Sequence, residues 1–493
     1  MDDDNVCDVA IVGAGPGGLA AALALQRQGL DVRVFEQREE FRPAGVAIFI
    51  WPHGLNALKS FDPETTERVV EAGAVIDNIA IEQLQPGGTE AEELVRIDVA
   101  GWSRRMNLPP QIGITWARLT NALRAGLRPD TVRLAHRLAC IYDGDGPSSG
   151  GVTLTFEPPR NGGDAPPPVR ARMCVVGADG RNSRVRELTF GVDDDDAASS
   201  SPASSSAAAP EANVYYALSP NPPPGANGAG SFNELRFSLC DGSGISLLDV
   251  GRGNLDIDGD DAGGDSSSGD SSGGDSSGGD SSGGDSPCGQ LMFGTTRFSE
   301  PARTFDTPER RLEHLESLFE NTTPLLQAAI ASTKPSAVVQ TRLYERDGAS
   351  RWSKGRVTSL GDAAHCMYPS LGLGISTAFQ DAVELANCLS SEGGKVVSVC
   401  EALATYERRR IPPCWALQTG SRLMHRVLAA TSERAPAGER GTGGERGSGV
   451  DLTGVFFRAW RGVLWLLGDR EEERALTEAE SAKKAERAAG AKR

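Results

Sequence analysis

A glycine-rich turn near the start of the chain has the composition needed to hold a pyrophosphate. Residues 13–18 read Gly-Ala-Gly-Pro-Gly-Gly, which fits the pattern G-x-G-x-x-G. In that pattern Gly13 permits a tight turn, Gly15 lets the backbone approach the phosphates, and Gly18 lets the next helix pack closely on the preceding strand. The free N–H groups and the partial positive charge of that helix bind phosphate oxygens.

The surroundings of this turn predict a dinucleotide-binding unit. Val9–Val12 reads as a buried strand, Leu19–Gln28 as an Ala/Leu-rich helix and Val32–Phe35 as a second strand. Glu36 ends the second strand, where its carboxylate would accept hydrogen bonds from the hydroxyls of an adenosine ribose. An acid at this position suits an unphosphorylated ribose, as in FAD or NAD, and the turn alone does not separate the two.

Two later segments separate them. Residues 174–186 read CVVGADGRNSRVR, with Asp179 before a glycine, and residues 355–365 read GRVTSLGDAAH, with Asp362 after a glycine. The second segment is followed by Pro369, Gly372, Gly374 and Asp381. Together with the first turn, these motifs resemble the three marks of the group A flavoprotein monooxygenases, the para-hydroxybenzoate hydroxylase family. The resemblance covers roughly residues 8–420 without the insertions, and it implies FAD.

The resemblance implies a role for each matching residue. Asp362 would hydrogen-bond the ribityl chain of FAD, and Asp179 would serve both FAD and the nicotinamide nucleotide. Arg118 resembles a helix arginine near the FAD phosphates. Backbone N–H groups of the loop 369–375 would face the pyrimidine edge of the flavin, where a helix N-terminus stabilises negative charge. The predicted cofactor-binding residues are Gly13, Ala14, Gly15, Gly18, Glu36, Arg42, Ala47, Arg118, Asp179, Asp362, Pro369, Gly372, Gly374 and Ile375.

Other parts of the chain match the family pattern less closely. Arg42 and residues 45–48 resemble the loop that passes the flavin, with Arg42 directed at the phosphates of FAD or of the reductant. Many relatives have Asn where Ser376 stands, and a proline or small residue where Cys366 and Met367 stand. These departures leave FAD binding intact but blur the substrate assignment. No second G-x-G-x-x-G occurs, so no separate NADPH domain is expected.

The resemblance implies a single-component monooxygenase. NADPH or NADH would reduce FAD, and reaction with O₂ would give a flavin C4a-hydroperoxide that hydroxylates or epoxidises a small aromatic or isoprenoid substrate. The protein would exclude water and position the substrate. Two alternatives stay open: an FAD-dependent reductase or dehydrogenase without oxygen insertion, and a non-catalytic binding protein on the same fold. The joint presence of Glu36, Asp179 and Asp362 counts against the second alternative.

No catalytic side chain and no metal site is predicted. His365 is a weak candidate for a proton relay, and a packed structural histidine at a strand end is the favoured interpretation. Cys366, with no partner cysteine in the motif, is interpreted as a small buried hydrophobe. Trp51, Tyr344 and Tyr368 fit either the substrate cavity or the core.

The order of the predicted elements indicates an α/β fold. We expect a Rossmann-type FAD-binding domain interleaved with a mostly antiparallel β-sheet substrate domain, plus C-terminal helices. Single helices are predicted over 308–331, 375–392 and 396–410, and a hairpin over 131–142 and 151–157. The predicted boundaries are FAD-binding segments 1–75, 105–190 and 341–392, substrate segments 76–104 and 213–340, a linker 191–212, C-terminal helices 393–431 and a tail 432–493.

Residues 254–288 form a polar insertion within the substrate segment. Ser-Ser-Gly-Gly-Asp repeats over 271–285, with no apolar residue to bury. A flexible loop at the tip of a hairpin is therefore expected, because polar insertions cost little there. A calcium-binding repeat is the disfavoured alternative, since such repeats carry apolar residues that build a core.

The composition of the chain argues against some classes of partner but does not identify a function. The net charge is −17, but 16 of the excess acids lie in residues 2–4, 193–196 and 254–288. The rest is near neutral and lacks a basic cluster, so no nucleic-acid partner is expected. Nine cysteines without a C-x-x-C pair, and an N-terminus without room for a leader, favour a cytoplasmic location. The amphipathic stretch 451–467 fits packing on the core, which we favour, or contact with a membrane surface.

Overall fold

Three β-sheets organise the part of the chain that the computed structural model describes. The described residues are 5–41, 47–84, 90–144, 150–159, 162–191, 213–220, 234–240, 243–250, 289–295, 305–342, 345–390 and 398–430. Arg42, Tyr344, the repeats at 271–285 and the tail with 451–467 lie outside them, as does the linker apart from Gly191. The predicted mixed α/β fold is confirmed.

The secondary structure elements are numbered in chain order. The strands are β1 Val6–Val12, β2 Val32–Phe35, β3 Ala47–Ile50, β4 Ala74–Ile76, β5 Asn78–Leu84, β6 Ala91–Asp98, β7 Gln111–Thr115, β8 Val132–Arg133, β9 Leu138–Asp143, β10 Val152–Phe156, β11 Val169–Gly177, β12 Asn213–Pro220, β13 Glu234–Cys240, β14 Ser243–Asp249, β15 Gly289–Thr295, β16 Val339–Arg342 and β17 Val357–Ser359. The helices are α1 Pro16–Arg27, α2 Pro52–Phe61, α3 Pro63–Ala72, α4 Val99–Arg105, α5 Trp116–Ala125, α6 Arg184–Phe190, α7 Pro308–Leu318, α8 Pro324–Ala331, α9 Asp362–His365, α10 Gly374–Leu389 and α11 Val399–Ala430.

The first sheet brings the predicted motifs to one edge. Its order is β8-β2-β1-β11-β10-β9, with β17 also pairing with β11. β1, β2, β11 and β17 run parallel, and Val12 is in register with Gly177, which is itself in register with Ser359. The segments that follow these strands therefore begin side by side. This edge, at the carboxyl ends of parallel strands, is where open α/β sheets bind ligands.

The second sheet has two differently covered faces. Its order is β16-β12-β15-β14-β13-β5-β6, and every pairing is antiparallel except β13 with β5. On one face Tyr215, Ala217, Ile245 and Leu247 pack under α7 and α8. Because successive side chains of a strand point to opposite faces, the alternate residues of β12 and β14 face the first sheet. A third sheet, β3-β7-β4, completes the fold.

The insertion 254–288 lies at the predicted place in the topology. It falls between β14 and β15, which are antiparallel neighbours with Asp249 in register with Gln290. The insertion itself, predicted as a flexible loop at a hairpin tip, lies outside the described residues.

Two predicted helices have different bounds. The expected helix over 308–331 is two helices, α7 and α8, because Pro324 has no N–H to donate within a helix and instead occupies the first turn of α8. The expected helix over 396–410 continues as α11 to Ala430, past Pro412 and Pro413. Buried Tyr406 and Cys414 on either side of the two prolines anchor α11 to the core, which offsets the lost backbone hydrogen bonds.

Two predicted strand segments are also corrected. The expected strand over 131–142 is split, because β8 pairs with β2 whereas β9 pairs with β10. Ala135 lies between β8 and β9 with φ of 56°, a left-handed turn conformation that ends a strand. The segment 76–104, predicted as part of the β-sheet substrate domain, ends in helix α4, which Asp98 caps by accepting a hydrogen bond from Gly101 N.

Candidate functional site

A cavity of about 1360 Å³ lies between the edge of the first sheet and the face of the second. Ligand pockets typically measure about 300–1,000 Å³, so this one has room for a large cofactor together with a second molecule. The segments after β1, β2, β11 and β17 line one end, and β5, β6, β13 and β14 line the other. The cavity therefore joins the three predicted motifs to the second sheet.

Two glycines of the turn are required by packing within the protein, whereas a third leaves open space in the cavity. Gly13 has φ of 107°, and a Cβ there would overlap the carbonyl oxygen of Ala178. A Cβ on Gly18 would overlap the carbonyl oxygen of Gly13, so both positions need glycine for packing. A Cβ on Gly15 would meet only the Trp116 ring, at an ordinary 3.8 Å. Gly15 thus leaves bare backbone facing the cavity, which fits a closely approaching pyrophosphate.

Glu36 is fixed beside the turn by two backbone donors. Ala14 N donates to Glu36 Oε2 at 3.0 Å, and Arg38 N donates to Oε1 at 3.1 Å. A carboxylate has about four acceptor positions, so each oxygen can still accept a ribose hydroxyl. Next to Glu36, the rings of Phe35 and His136 line the cavity with centroids 5.5 Å apart. Burial lowers the pKa of His136, so this aromatic pair, absent from the predicted set, is neutral and suited to an adenine.

Asp179 shapes the segment that follows β11. Its carboxylate accepts hydrogen bonds from Ser183 Oγ at 2.6 Å, Arg184 N at 2.7 Å and Val185 N at 3.1 Å. These bonds hold the start of α6, while Asp179 and the neighbouring Arg181 line the cavity. Burial raises the pKa of Asp179 in spite of these hydrogen bonds. Sequence reasoning named Asp179 but missed Arg181, which lies in the same motif.

Asp362 is the carboxylate most in need of an external partner. It follows Gly361, and its side chain is accessible from the cavity, although protein surrounds the site. Within the described part of the chain no donor bonds to it. Burial raises the pKa of Asp362, against the opposing effect of the positive charges of His365 and Arg181. A carboxylate that is accessible from the cavity and has no donor among the described residues can accept hydrogen bonds from a ligand, so this position fits a ligand that presents hydroxyl groups, as the ribityl chain of FAD does.

The loop before α10 is hydrogen-bonded to the protein on one side and faces the cavity on the other. Trp51 Nε1 donates to Leu371 O at 3.0 Å, and Trp51 N donates to Ser376 Oγ at 3.1 Å. Gly372 has φ of 61°, and the Phe49 ring occupies the place where its Cβ would lie. The first N–H groups of a helix have no partner inside it, and here the start of α10 lines the cavity through Gly374 and Ile375. The positive end of α10 therefore faces the cavity.

His365 points away from the cavity. It is 1% exposed, and its Nε2 lies 2.6 Å from Asp381 Oδ2. Arg410 Nε donates to Asp381 Oδ1 at 2.7 Å, and Gly361 N donates to Oδ2 at 3.0 Å. Burial alone would lower the pKa of His365, but Cys414 and Asp381 together raise it well above its usual value. This arrangement supports the structural interpretation of His365, because a buried ion pair holds it behind the turn that carries Asp362.

The same cluster contains groups that could ligate a metal. Ligand atoms of His365, Asp381 and Cys414 lie within 4.8 Å of one another. The Arg410 guanidinium already supplies a cation at 2.7 Å from Asp381, so the charge of the carboxylate is balanced by protein. Nearby, burial and Asp362 raise the pKa of Cys366 to about 12. Cys366 is therefore a protonated, buried thiol, in agreement with its interpretation as a small hydrophobe.

The other predicted residues fall in different places. Ala47 and Pro369 line the cavity, as does the ring of Tyr368. Arg118 is not among the lining residues: its Nη1 donates to Val250 O at 2.9 Å, at the end of β14. Its helix instead presents Trp116 to the cavity.

The far end of the cavity is apolar. The cavity-facing side of β5, β6, β13 and β14, which we call the sheet wall, includes Ile79, Ile81, Ile97, Leu235, Phe237 and Leu239. Opposite it, the Tyr368 ring stacks on His425 of α11 at a centroid distance of 3.9 Å and an angle of 12°. Burial raises the pKa of Tyr368 to about 12 and lowers that of His425 to about 4, so both are neutral near pH 7. Sequence reasoning missed His425, because nothing in the pattern of α11 brings it to the cavity.

Comparison with known proteins was made for the whole chain. The model of the FAD binding domain family matches residues 6–200 and 301–421. Zeaxanthin epoxidase of Spinacia oleracea is 26% identical over 82% of this chain and 51% of its own length. FAD-dependent urate hydroxylase of Klebsiella pneumoniae is 23% identical over 81% of this chain and 85% of its own length. Aurachin C monooxygenase/isomerase of Stigmatella aurantiaca is 27% identical over 82% of this chain and 85% of its own length. The chain spans about half the length of the zeaxanthin epoxidases it matches.

Solved structures show the same fold. HpxO of Klebsiella pneumoniae, solved in complex with FAD and uric acid, superposes with a TM-score of 0.65 and 20% identity, covering 95% of each chain. The family model matches more than half of the residues, and the expected resemblance to the para-hydroxybenzoate hydroxylase group is confirmed. The chain belongs to the FAD binding domain family.

Proposed function

We propose that this chain is an FAD-dependent monooxygenase that uses NAD(P)H and O₂ to hydroxylate or epoxidise an organic substrate. The observation that carries the proposal is the single cavity that joins the dinucleotide turn and Asp362 to the apolar sheet wall. The relatives named as urate hydroxylase, zeaxanthin epoxidase and aurachin C monooxygenase support the same reaction class. In the overall reaction, substrate, O₂, NAD(P)H and a proton give oxygenated substrate, water and NAD(P)⁺.

Bound FAD supplies the redox chemistry, by accepting a hydride from NAD(P)H and activating O₂. The chain's own residues bind and orient it. Gly15 would admit the pyrophosphate, Glu36 would hold the ribose, and Asp362 would accept hydrogen bonds from the ribityl hydroxyls. The N-terminus of α10 at Gly374 would stabilise negative charge on the flavin ring.

The remaining predicted contacts follow the same proposal. Asp179 would keep the segment after β11 in place beside the cofactor, and Ala47 would lie against the flavin. Arg118 would act through its bond to the end of β14 and not by direct phosphate contact, because its side chain does not line the cavity. NAD(P)H would come as a diffusible reductant, since the sequence has one G-x-G-x-x-G turn.

The sheet wall would exclude water from the reacting atoms. Its described side chains are apolar over most of the surface, and Met367 and Met424 close the opposite side. A dry site keeps activated oxygen from being lost as peroxide before it reaches the substrate. It also holds the substrate at a fixed distance from the flavin.

We also propose that the chain has two domains and that it works in a reducing cellular compartment. FAD-binding segments 1–75, 105–190 and 341–392, alternating with substrate segments 76–104 and 213–340, are supported by the two large sheets. No helix in the described ranges has both the length and the apolar character to cross a bilayer. The seven cysteines whose side chains the structure describes are free thiols, which supports a reducing compartment such as the cytoplasm.

The test is O₂ uptake coupled to NAD(P)H oxidation by the FAD-loaded chain. We expect uptake to rise when a substrate is added, with one oxygen atom of ¹⁸O₂ recovered in the product. Substrate-dependent NAD(P)H oxidation that proceeds equally without O₂ would indicate a reductase instead. A chain that takes up no FAD would indicate the non-catalytic alternative.

A further inference from the structure

The sheet wall carries its charges on the side away from the cavity. In β5 and β13, Ile79, Ile81, Leu235 and Phe237 line the cavity. The alternate residues Glu82 and Arg236 point to the other face, where their charged atoms lie 3.7 Å apart. None of the described ionic side chains of these strands lines the cavity, and in β5 and β13 this follows from the alternation of side chains along a strand.

Charged lining residues are confined to the other end. Among the described residues that line the cavity, every Asp, Glu, Lys and Arg lies on the segments after β2, β11 or β17, or beside β9 and β10. None of them belongs to a strand of the second sheet. The charged end thus coincides with the proposed FAD site, and the uncharged end with the proposed substrate site.

The polar atoms that remain on the sheet side are neutral hydroxyls. Ser246 of β14 lies between apolar neighbours on the wall, with its side chain on the cavity side of the strand. Tyr216 of β12 also lines the cavity, and burial raises the pKa of its phenol to about 12, so it stays protonated. Hydroxyl groups can donate to or accept from an alcohol or a carbonyl. They do not neutralise a carboxylate, whose burial without a cation is costly.

We infer that the substrate is a neutral and mostly apolar molecule of isoprenoid or polycyclic type, with at most hydroxyl or carbonyl oxygens. The inference rests on the proposed monooxygenase function and narrows its substrate class. An anionic aromatic acid or an oxyanion such as urate does not fit this wall, because its described residues offer such a ligand no cation. Arg181, whose charge acts on Tyr216, also interacts with the negative charge of Asp362 at the cofactor end.

Matched ligand pairs test the charge requirement directly in the FAD-loaded chain. Farnesol is compared with farnesoate, and 2-naphthol with 2-naphthoate, by the change each causes in the visible flavin spectrum. We expect the neutral member of each pair to bind at least tenfold more tightly than the carboxylate. Equal or tighter binding of the carboxylates would overturn the inference, as would a failure of both neutral ligands to bind.

A pair of variants shows whether the sheet wall is responsible. Ile81→Arg should abolish the preference for farnesol over farnesoate or reverse it, whereas Ile81→Leu should keep it at least tenfold. FAD content of each variant shows that the cofactor end is intact. An unchanged preference in a flavin-loaded Ile81→Arg variant would contradict the proposed location of the site. Binding does not require turnover, so selective binding of neutral ligands without O₂ uptake would count against the monooxygenase proposal and leave the ligand class standing.

Discussion

Two aspartates, Asp362 and Asp381, lie on opposite sides of the turn that follows β17. Asp381 faces α11, where it bonds to Arg410, His365 and the backbone N–H of Gly361, and these positive charges and hydrogen bonds hold its pKa far below the usual value despite burial. Asp362 faces the cavity, where no described residue donates to it and burial raises its pKa. One carboxylate is thus satisfied by the protein, and the other is left for a ligand.

Within a single turn, Asp381 therefore serves the stability of the fold and Asp362 serves ligand binding. A buried carboxylate with its full set of partners fixes Gly361 and hence the direction of the Asp362 side chain. The Asp362 carboxylate is accessible from the cavity and is left for a ligand, as is common for groups at functional sites. Substitution of Asp381 should therefore affect the stability of the ligand-free protein much more than substitution of Asp362.

The largest effect is expected from Asp381→Ala. The change leaves the Arg410 guanidinium buried without its carboxylate and removes a charge that raises the pKa of His365, and breaking a buried ion pair in this way costs about 3–5 kcal/mol. Urea denaturation of the FAD-free protein measures the loss. Glu384→Ala is the matched control, because Glu384 joins the same two helices through exposed Arg409 and should be nearly neutral. Equal losses for the two variants would remove the distinction.

Asp362→Asn should spare stability and weaken FAD binding. Hydrogen bonds to a charged group contribute about 1.5–3 kcal/mol, so the dissociation constant should rise roughly 10- to 100-fold. The melting temperature of the FAD-free variant should stay close to that of the parent, because Asp362 is accessible from the cavity and no described residue donates to it. Fluorescence titration with FAD and thermal melts measure the two effects. A variant with a lower melting temperature and undiminished FAD affinity would assign Asp362 to the fold instead.

The buried ion pair also predicts a pH dependence. The pKa of His365 is raised in the folded protein above its unfolded value of about 6.5, so its stabilising charge is fully present below pH 6.5 and is lost as the pH rises toward the folded pKa. Between pH 6.5 and 8 the free energy of unfolding should fall by up to about 1.4 kcal/mol per pH unit. His365→Gln should flatten this slope. Identical slopes for parent and variant would show that His365 is uncharged.

Gly15→Ala should give the smallest effect, again on FAD and not on the fold. The added methyl group has room in the protein, 3.8 Å from Trp116, but it enters the space left for the pyrophosphate. We expect about tenfold weaker FAD binding, or about 1.4 kcal/mol, with an unchanged urea midpoint. Gly18→Ala is the contrasting variant, since its methyl group overlaps Gly13 and should destabilise the protein itself.

The turn and strand motifs could be predicted because they are local. Gly13–Gly18, Glu36 and the Asp362 segment each carry their own pattern of strand, glycine and acid, and parallel pairing then places them at one edge. The long reach of α11 could not be predicted, because Pro412 and Pro413 signal a helix end and only tertiary packing overrides it. His425 was missed for that reason, since it reaches the cavity through this continuation.

The contact of Arg118 with Val250 shows the same limit. Its position near the start of α5 resembles a phosphate-binding arginine, but its partner is a carbonyl 132 residues away. A contact between segments so far apart depends on how the two sheets meet, which no local pattern encodes. Likewise, strand alternation predicts two faces of the second sheet but not which of them lines the cavity. That becomes clear only when α7 and α8 are seen to cover the other face.

FAD titration of the purified wild-type chain tests the central claim most directly. Calorimetry should show one FAD bound per chain, with the flavin retained on gel filtration and the melting temperature raised, as binding to the folded state alone requires. A chain that takes up no FAD at millimolar concentration, while correctly folded, would contradict the assignment of the cavity.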